Sequence, residues 1–64
     1  MAVNQTDVRS RFNLSFVYSR QHNFAQALRV LAEALALDKS GEYRDRLLQK
    51  QNETLTYLAM KHRQ

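Results

Sequence analysis

The sequence predicts an all-α fold, one domain over residues 1–64 built as a helical hairpin with a longer third helix. Three observations lead there. The chain has no proline and a single glycine, Gly41, so it lacks the repeated punctuation that strands and tight turns require. Residues 23–37, NFAQALRVLAEALAL, are apolar or alanine at nearly every position, with only Gln26, Arg29 and Glu33 forming a narrow polar stripe. A helix apolar almost all round is a buried one, so this segment needs neighbours on two sides. Finally, short polar breaks at 21–23 and 38–41 divide the chain into three helix-length pieces.

The first helix is expected over about 6–20. Thr6 or Asn4 would cap it after a frayed lead-in, and Asp7 sits where the helix dipole favours negative charge. Its apolar residues form two adjoining sets. Val8, Phe12 and Phe16 recur at four-residue steps, Leu14 and Tyr18 make the second set, and Ser15 lies between them. Together they cover about half the circumference, wide for a helix meeting one neighbour. Arg9, Asn13 and Arg20 fall on the wetter side, and Val17 belongs to neither set.

The second helix is expected over 23–37. Asn23 with Gln26 three residues on makes a capping-box pattern, and the short turn forces the first two helices to lie antiparallel and adjacent. Its alanines admit close backbone approach, while Phe24, Leu28, Leu31 and Leu35 supply bulk. The third helix is expected over 41–62, capped by Ser40. Tyr43, Leu47, Leu48, Leu55, Leu58 and Ala59 make its apolar stripe, interrupted by Gln51. At about 30 Å this helix outruns its neighbours at about 22 Å. Its last two turns should overhang, leaving Leu55, Leu58 and Ala59 without cover inside the chain. That end is the expected site of self-association.

At 64 residues the chain is marginal for independent stability, and small scaffolds are usually reinforced by disulfides, metals or association. With no cysteine, and two histidines forty positions apart, disulfides and metal sites are not expected, and no cofactor is. Tight helix packing and oligomerisation remain. No apolar run reaches the roughly 18 residues of a membrane span and no signal peptide opens the chain, so the expected location is the cytoplasm. The net charge of +4 is spread along the chain, with a mild concentration in Arg44, Arg46, Lys50, Lys61 and Arg63.

The spacing of residues 11–39 resembles one tetratricopeptide repeat, whose pattern opens Trp-x-x-Leu-Gly-x-x-Tyr and continues with Ala, Phe and Pro at later offsets. Leu14 matches the leucine, Ser15 stands for the small glycine, Tyr18 matches the tyrosine, and Ala27 matches the alanine of the second helix. Leu31 replaces the phenylalanine and Ala34 fits a further alanine one turn on. Arg11 in place of tryptophan and Lys39 in place of proline depart from the pattern. The resemblance implies a single repeat followed by a capping helix, against the plainer reading of a three-helix bundle. One repeat cannot bury both its sides, so a second copy or a partner chain would complete the stack.

Proteins of that family bind peptides or helices on the face formed by their first helices. By position that face would hold Arg9, Phe12, Asn13, Phe16, Ser19 and Arg20. The residues themselves pick out the same side, two aromatic anchors flanked by polar groups, a mixture that suits interfaces. The competing expectation is that Phe12 and Phe16 pack beneath the third helix. The function expected is therefore protein binding, as a small chaperone or assembly subunit that takes a peptide or helix or associates with itself. The alternative is a small basic nucleic-acid-binding protein that tracks phosphates with Arg44, Arg46, Lys50, Lys61 and Arg63. An enzyme is not expected, since no glycine-rich phosphate loop, cysteine nucleophile or close acid pair is present.

Overall fold

A computed structural model of the chain describes residues 5–62, with side chains over 6–61. Expectations for Asn4 as a cap, for the lead-in before Gln5 and for Arg63 fall outside the described residues, as does the side chain of His62. Three helices follow one another: α1 (Gln5–Arg20), α2 (Phe24–Leu37) and α3 (Arg44–His62). The all-α class is as the sequence predicts. α2 is the middle member, with α1 packed along one side and α3 along the other; α1 and α3 meet each other only at the edge. The two chain reversals make α1 and α3 parallel, both antiparallel to α2.

The core is assembled from all three helices. Val8, Leu31, Ala34, Tyr43 and Leu47 form its centre, and Phe12, Leu35 and Leu37 lie against it half-buried. Phe24, Ala27 and Val30 extend the buried face of α2. On its open side α2 shows Ala25, Arg29, Ala32, Glu33 and Ala36. Of the polar stripe foreseen at Gln26, Arg29 and Glu33, the last two are solvated, flanked by alanines that small size makes tolerable in water, while Gln26 is half-buried.

On α1 the packing centre is the line between the two apolar sets rather than either set. Ser15 is fully buried, its hydroxyl donating back to the Phe12 carbonyl, while Leu14, Phe16 and Val17 are exposed. A serine here lets the α2 backbone approach closely, and its polar atom is satisfied within its own helix. Thr54 does the same on α3, fully buried with its hydroxyl donating to the Lys50 carbonyl at 2.7 Å. Arg11, which departs from the family pattern, reaches across to Glu33 at 3.6 Å and donates to the Asp7 carbonyl at 3.2 Å.

The apolar stripe expected on α3 needs correction. Its packed face runs Tyr43, Leu47, Thr54, with Lys50, Gln51 and Leu58 half-buried beside it, whereas Leu48 and Leu55 are 39% and 48% exposed. On a helix turning about 100° per residue, residues 43, 47, 54 and 58 share one face and 48, 55 and 59 fall about 90–130° off it. Hydrophobicity alone admitted both rows, and packing on α2 selected the one that also carries a threonine and a glutamine.

Both turns are held differently from expectation. α1 ends in a Schellman motif: Asn23 N–H donates to the Tyr18 carbonyl at 2.8 Å, His22 N–H to that of Ser19 at 3.0 Å, and His22 takes a left-handed φ of 58°. Asn23 precedes α2 without any side-chain capping bond, so the capping box does not form. At the second turn the helix begins at Arg44 rather than at 41–42. Ser40 Oγ accepts from Glu42 N–H at 3.3 Å. The stronger tie is Asp38, whose carboxylate accepts the buried Tyr43 N–H at 2.9 Å. Gly41 supplies the positive φ, 76°, that lets the chain turn between them.

Candidate functional site

Because α1 and α3 both pack on α2 and meet each other only at the edge, a groove runs between them. It is closed at the end where α1 starts. There Val8 joins Tyr43 and Leu47 in the core, and Arg9 Nε donates to the Tyr43 hydroxyl at 3.4 Å. The hydrogen bond to Tyr43, with Glu42 nearby, holds the Arg9 guanidinium above its ordinary pKa.

Toward the other end the groove opens in three connected recesses of about 220, 320 and 400 Å³. Phe12 and Phe16 of α1 face Arg46 and Gln49 of α3 in the first. Phe16, Lys50 and Glu53 continue into the second, where Ser19 and Arg20 form one wall and Tyr57 the other. His22, Phe24 and Tyr57 lead into the third, which ends at Met60 and Lys61.

The rings are arranged against each other. Phe12 and Phe16 meet edge to face with centroids 5.1 Å apart, and the Lys50 ammonium sits 4.3 Å from the Phe16 centroid. Such a cation–π contact contributes about 0.5–1 kcal/mol at a partly exposed site. Lys50 also pairs with Glu53 at 3.9 Å. Phe24, buried, stacks on Tyr57 at 5.8 Å, and His22 meets the Phe24 ring edge-on at 5.7 Å. Ser19 Oγ is buried in the α1 wall and has no hydrogen-bond partner among the described residues.

Of the residues picked from the sequence, Phe12, Phe16, Ser19 and Arg20 come together in this groove. Arg9 stands at its closed end, and Asn13 is exposed outside it. Phe12 is half-buried against the core, whereas Phe16 is 42% exposed, so the two rings divide between the alternatives weighed for them. Leu55 and Ala59 are exposed, Leu58 half-buried, and all three lie off the groove. The overhang at the end of α3 is covered only where Tyr57 stacks on Phe24; Met60 and Lys61 beyond it are exposed and line a recess with His22 and Phe24.

The sequence did not show the α3 wall and the floor as one site: Lys50 reads there only as part of the basic row and Phe24 only as core bulk, and Glu53, Tyr57 and His22 are not picked out for this groove. A signal was available, since Arg46, Lys50, Glu53, Tyr57 and Lys61 recur at helical steps on one flank. Using it required knowing that this flank runs beside α1. A further recess of about 500 Å³ lies at the α2–α3 turn, lined by Asp38, Ser40, Gly41 and Arg44. Its carboxylate is committed to Tyr43 N–H and to the Ser40 hydroxyl, which identifies it as the structural seam of the turn.

Among the described residues no group of histidine, cysteine or carboxylate side chains is gathered to hold a metal ion, and no helix is long and apolar enough to cross a membrane. No family model matches this chain, and no curated protein or solved structure matches it. The tetratricopeptide resemblance therefore rests on the residues alone.

Proposed function

We propose that this chain is a small protein-binding module, an escort or assembly subunit that holds a segment of another protein between α1 and α3. The observation that carries the reading is the half-exposed pair Phe16 and Tyr57, 42% and 48% accessible, lining an open groove in a chain small enough to need its aromatics for its own core. Large rings left accessible beside cations are the usual anchors of an interface. The parallel placement of the first and third helices around the second is also what a repeat plus capping helix would give, which supports the tetratricopeptide-like reading of residues 11–39.

The nucleic-acid alternative draws less support. Arg46, Lys50 and Lys61 line the groove, but Arg44 lines the recess at the α2–α3 turn on another flank, so the basic residues do not form one phosphate-tracking row.

The test is recovery of a partner with the tagged chain from its native cell, run beside Phe16→Ala, Tyr57→Ala and Leu55→Ala. A protein recovered with the wild type and Leu55→Ala but lost with both ring variants, all four retaining helical circular dichroism, is the expected result. Unfolding of Phe16→Ala would return that ring to the core and remove the reading.

A further inference from the structure

The groove is far more one-signed than the rest of the molecule. Its walls carry Arg20, Arg46, Lys50 and Lys61 against one carboxylate, Glu53. Four cations and one anion leave +3 in the groove, most of the +4 borne by the whole chain. Elsewhere opposite charges offset each other, as in the pair of Arg11 with Glu33. Between these cations the groove is apolar, with Phe16, Phe24 and Tyr57 at its middle.

Resting on the protein-binding reading of this groove, we propose that its occupant is an acidic amphipathic helix of about four turns from another protein. The length follows from the walls. Arg46 and Lys61 mark the two ends along α3, a rise of about 22 Å at 1.5 Å per residue, or four helical turns. A helix laid between two helices buries one stripe, here against Phe16, Phe24 and Tyr57. Its flanking carboxylates meet Arg20 on the α1 wall and Arg46 and Lys61 on the α3 wall. Charge complementarity of this kind selects partners and speeds encounter more than it adds affinity.

Two other occupants fit less well. A second copy of this chain also carries +4, and its exposed leucines at 48 and 55 are not flanked by a row of acids. Single-stranded nucleic acid stacks its bases on free ring faces. Here Lys50 covers a face of Phe16 and Phe24 covers a face of Tyr57.

The test uses fluorescein-labelled helical peptides of about 15 residues built from Leu, Glu and Ala, with Leu at positions i, i+4, i+7 and i+11. One companion replaces every Glu by Lys, and a second replaces every Leu by Gln. An oligothymidine of similar extended length completes the set. Fluorescence anisotropy at low salt should show the Leu–Glu peptide bound at least about tenfold more tightly than either companion, with the margin shrinking as salt rises.

The double variant Arg20→Glu/Lys61→Glu, both residues being exposed, should reverse the preference toward the Lys peptide, and Tyr57→Ala should weaken both. Equal binding of the Glu and Lys peptides would overturn the acidic helix while leaving the groove a protein site. Failure of every peptide, unaffected by Phe16→Ala or Tyr57→Ala, would overturn the protein-binding reading as well. Tighter binding of oligothymidine, or peptides unable to displace a second copy of the chain, would assign the groove to those occupants instead.

Discussion

At the scale of single residues the two turns decide how firmly the helices are joined. Asp38 closes α2 through its backbone, with its N–H donating to the Ala34 carbonyl, and opens α3 through its side chain. Replacing it by Ala leaves the buried Tyr43 N–H without an acceptor. Asp38→Ala should cost about 1–2 kcal/mol. In a domain this small each kcal/mol lowers the melting temperature by about 4–8 °C, readable by circular dichroism. Asp38→Asn keeps an acceptor oxygen and should lose less. His22 carries the other turn, in a left-handed conformation that side chains resist by about 1–2 kcal/mol. His22→Gly should match or exceed wild-type stability, while His22→Val, stiff at its branched Cβ, should fall below it by about 1 kcal/mol or more. A drop for Gly as large as for Val would mean that the edge contact with Phe24, rather than the backbone, fixes this residue.

Elements respond according to which side of each helix is covered. α2 is the common wall for both neighbours, and Leu31 at its centre is fully buried. Leu31→Ala should cost about 2–5 kcal/mol. A core of this size supplies about 3–5 kcal/mol in all, so that variant should be largely unfolded at 25 °C by circular dichroism and urea titration. Phe16→Ala, on the open flank of α1, loses the ring contacts with Phe12 and Lys50 and should cost about 1–2 kcal/mol. Equal losses in the two variants would sink the division between core and groove drawn here.

The legibility of the sequence also belongs to this scale. α1 and α2 were readable to within one residue at each end because their breaks and periods agree, although the side-chain cap expected at Asn23 does not form. α3 was readable as a helix but not in its facing. Leu48 and Leu55 are as hydrophobic as Leu47 and Leu58, and a period of 3.6 residues cannot say which row finds a neighbour. Phe12 and Phe16 were likewise one stripe in the sequence. Four residues along a tilted helix separate a ring against the core from a ring in the groove.

The whole molecule is a short stack with two open ends. Leu14 and Val17 of α1 are exposed on one side, and Leu48 and Leu55 of α3 on the other. Chains built from helical pairs bury such faces against further helices, their own or another protein's. We therefore expect self-association at high protein concentration, seen by sedimentation equilibrium as a weight-average mass above the 7.5 kDa of one chain. Leu48→Glu/Leu55→Glu should return it to a monomer with unchanged helicity and unchanged peptide binding in the groove. A wild-type chain that stays monomeric at high micromolar concentration would rule this out and leave the exposed leucines to another partner.

Composition and period were enough to determine the helical class, the three segments, the central and most apolar position of α2, and the side of α1 that carries accessible aromatics. These are local properties, settled by which residues recur every three or four positions and where glycine and polar breaks interrupt them. The second wall of the groove, its floor at Phe24, its concentration of positive charge and the tie from Asp38 to Tyr43 came only with the tertiary structure. Each depends on how α3 is rotated and set beside α1. Ser15 and Thr54, two small polar residues fully buried on α1 and α3, lie on the faces that this rotation turns inward.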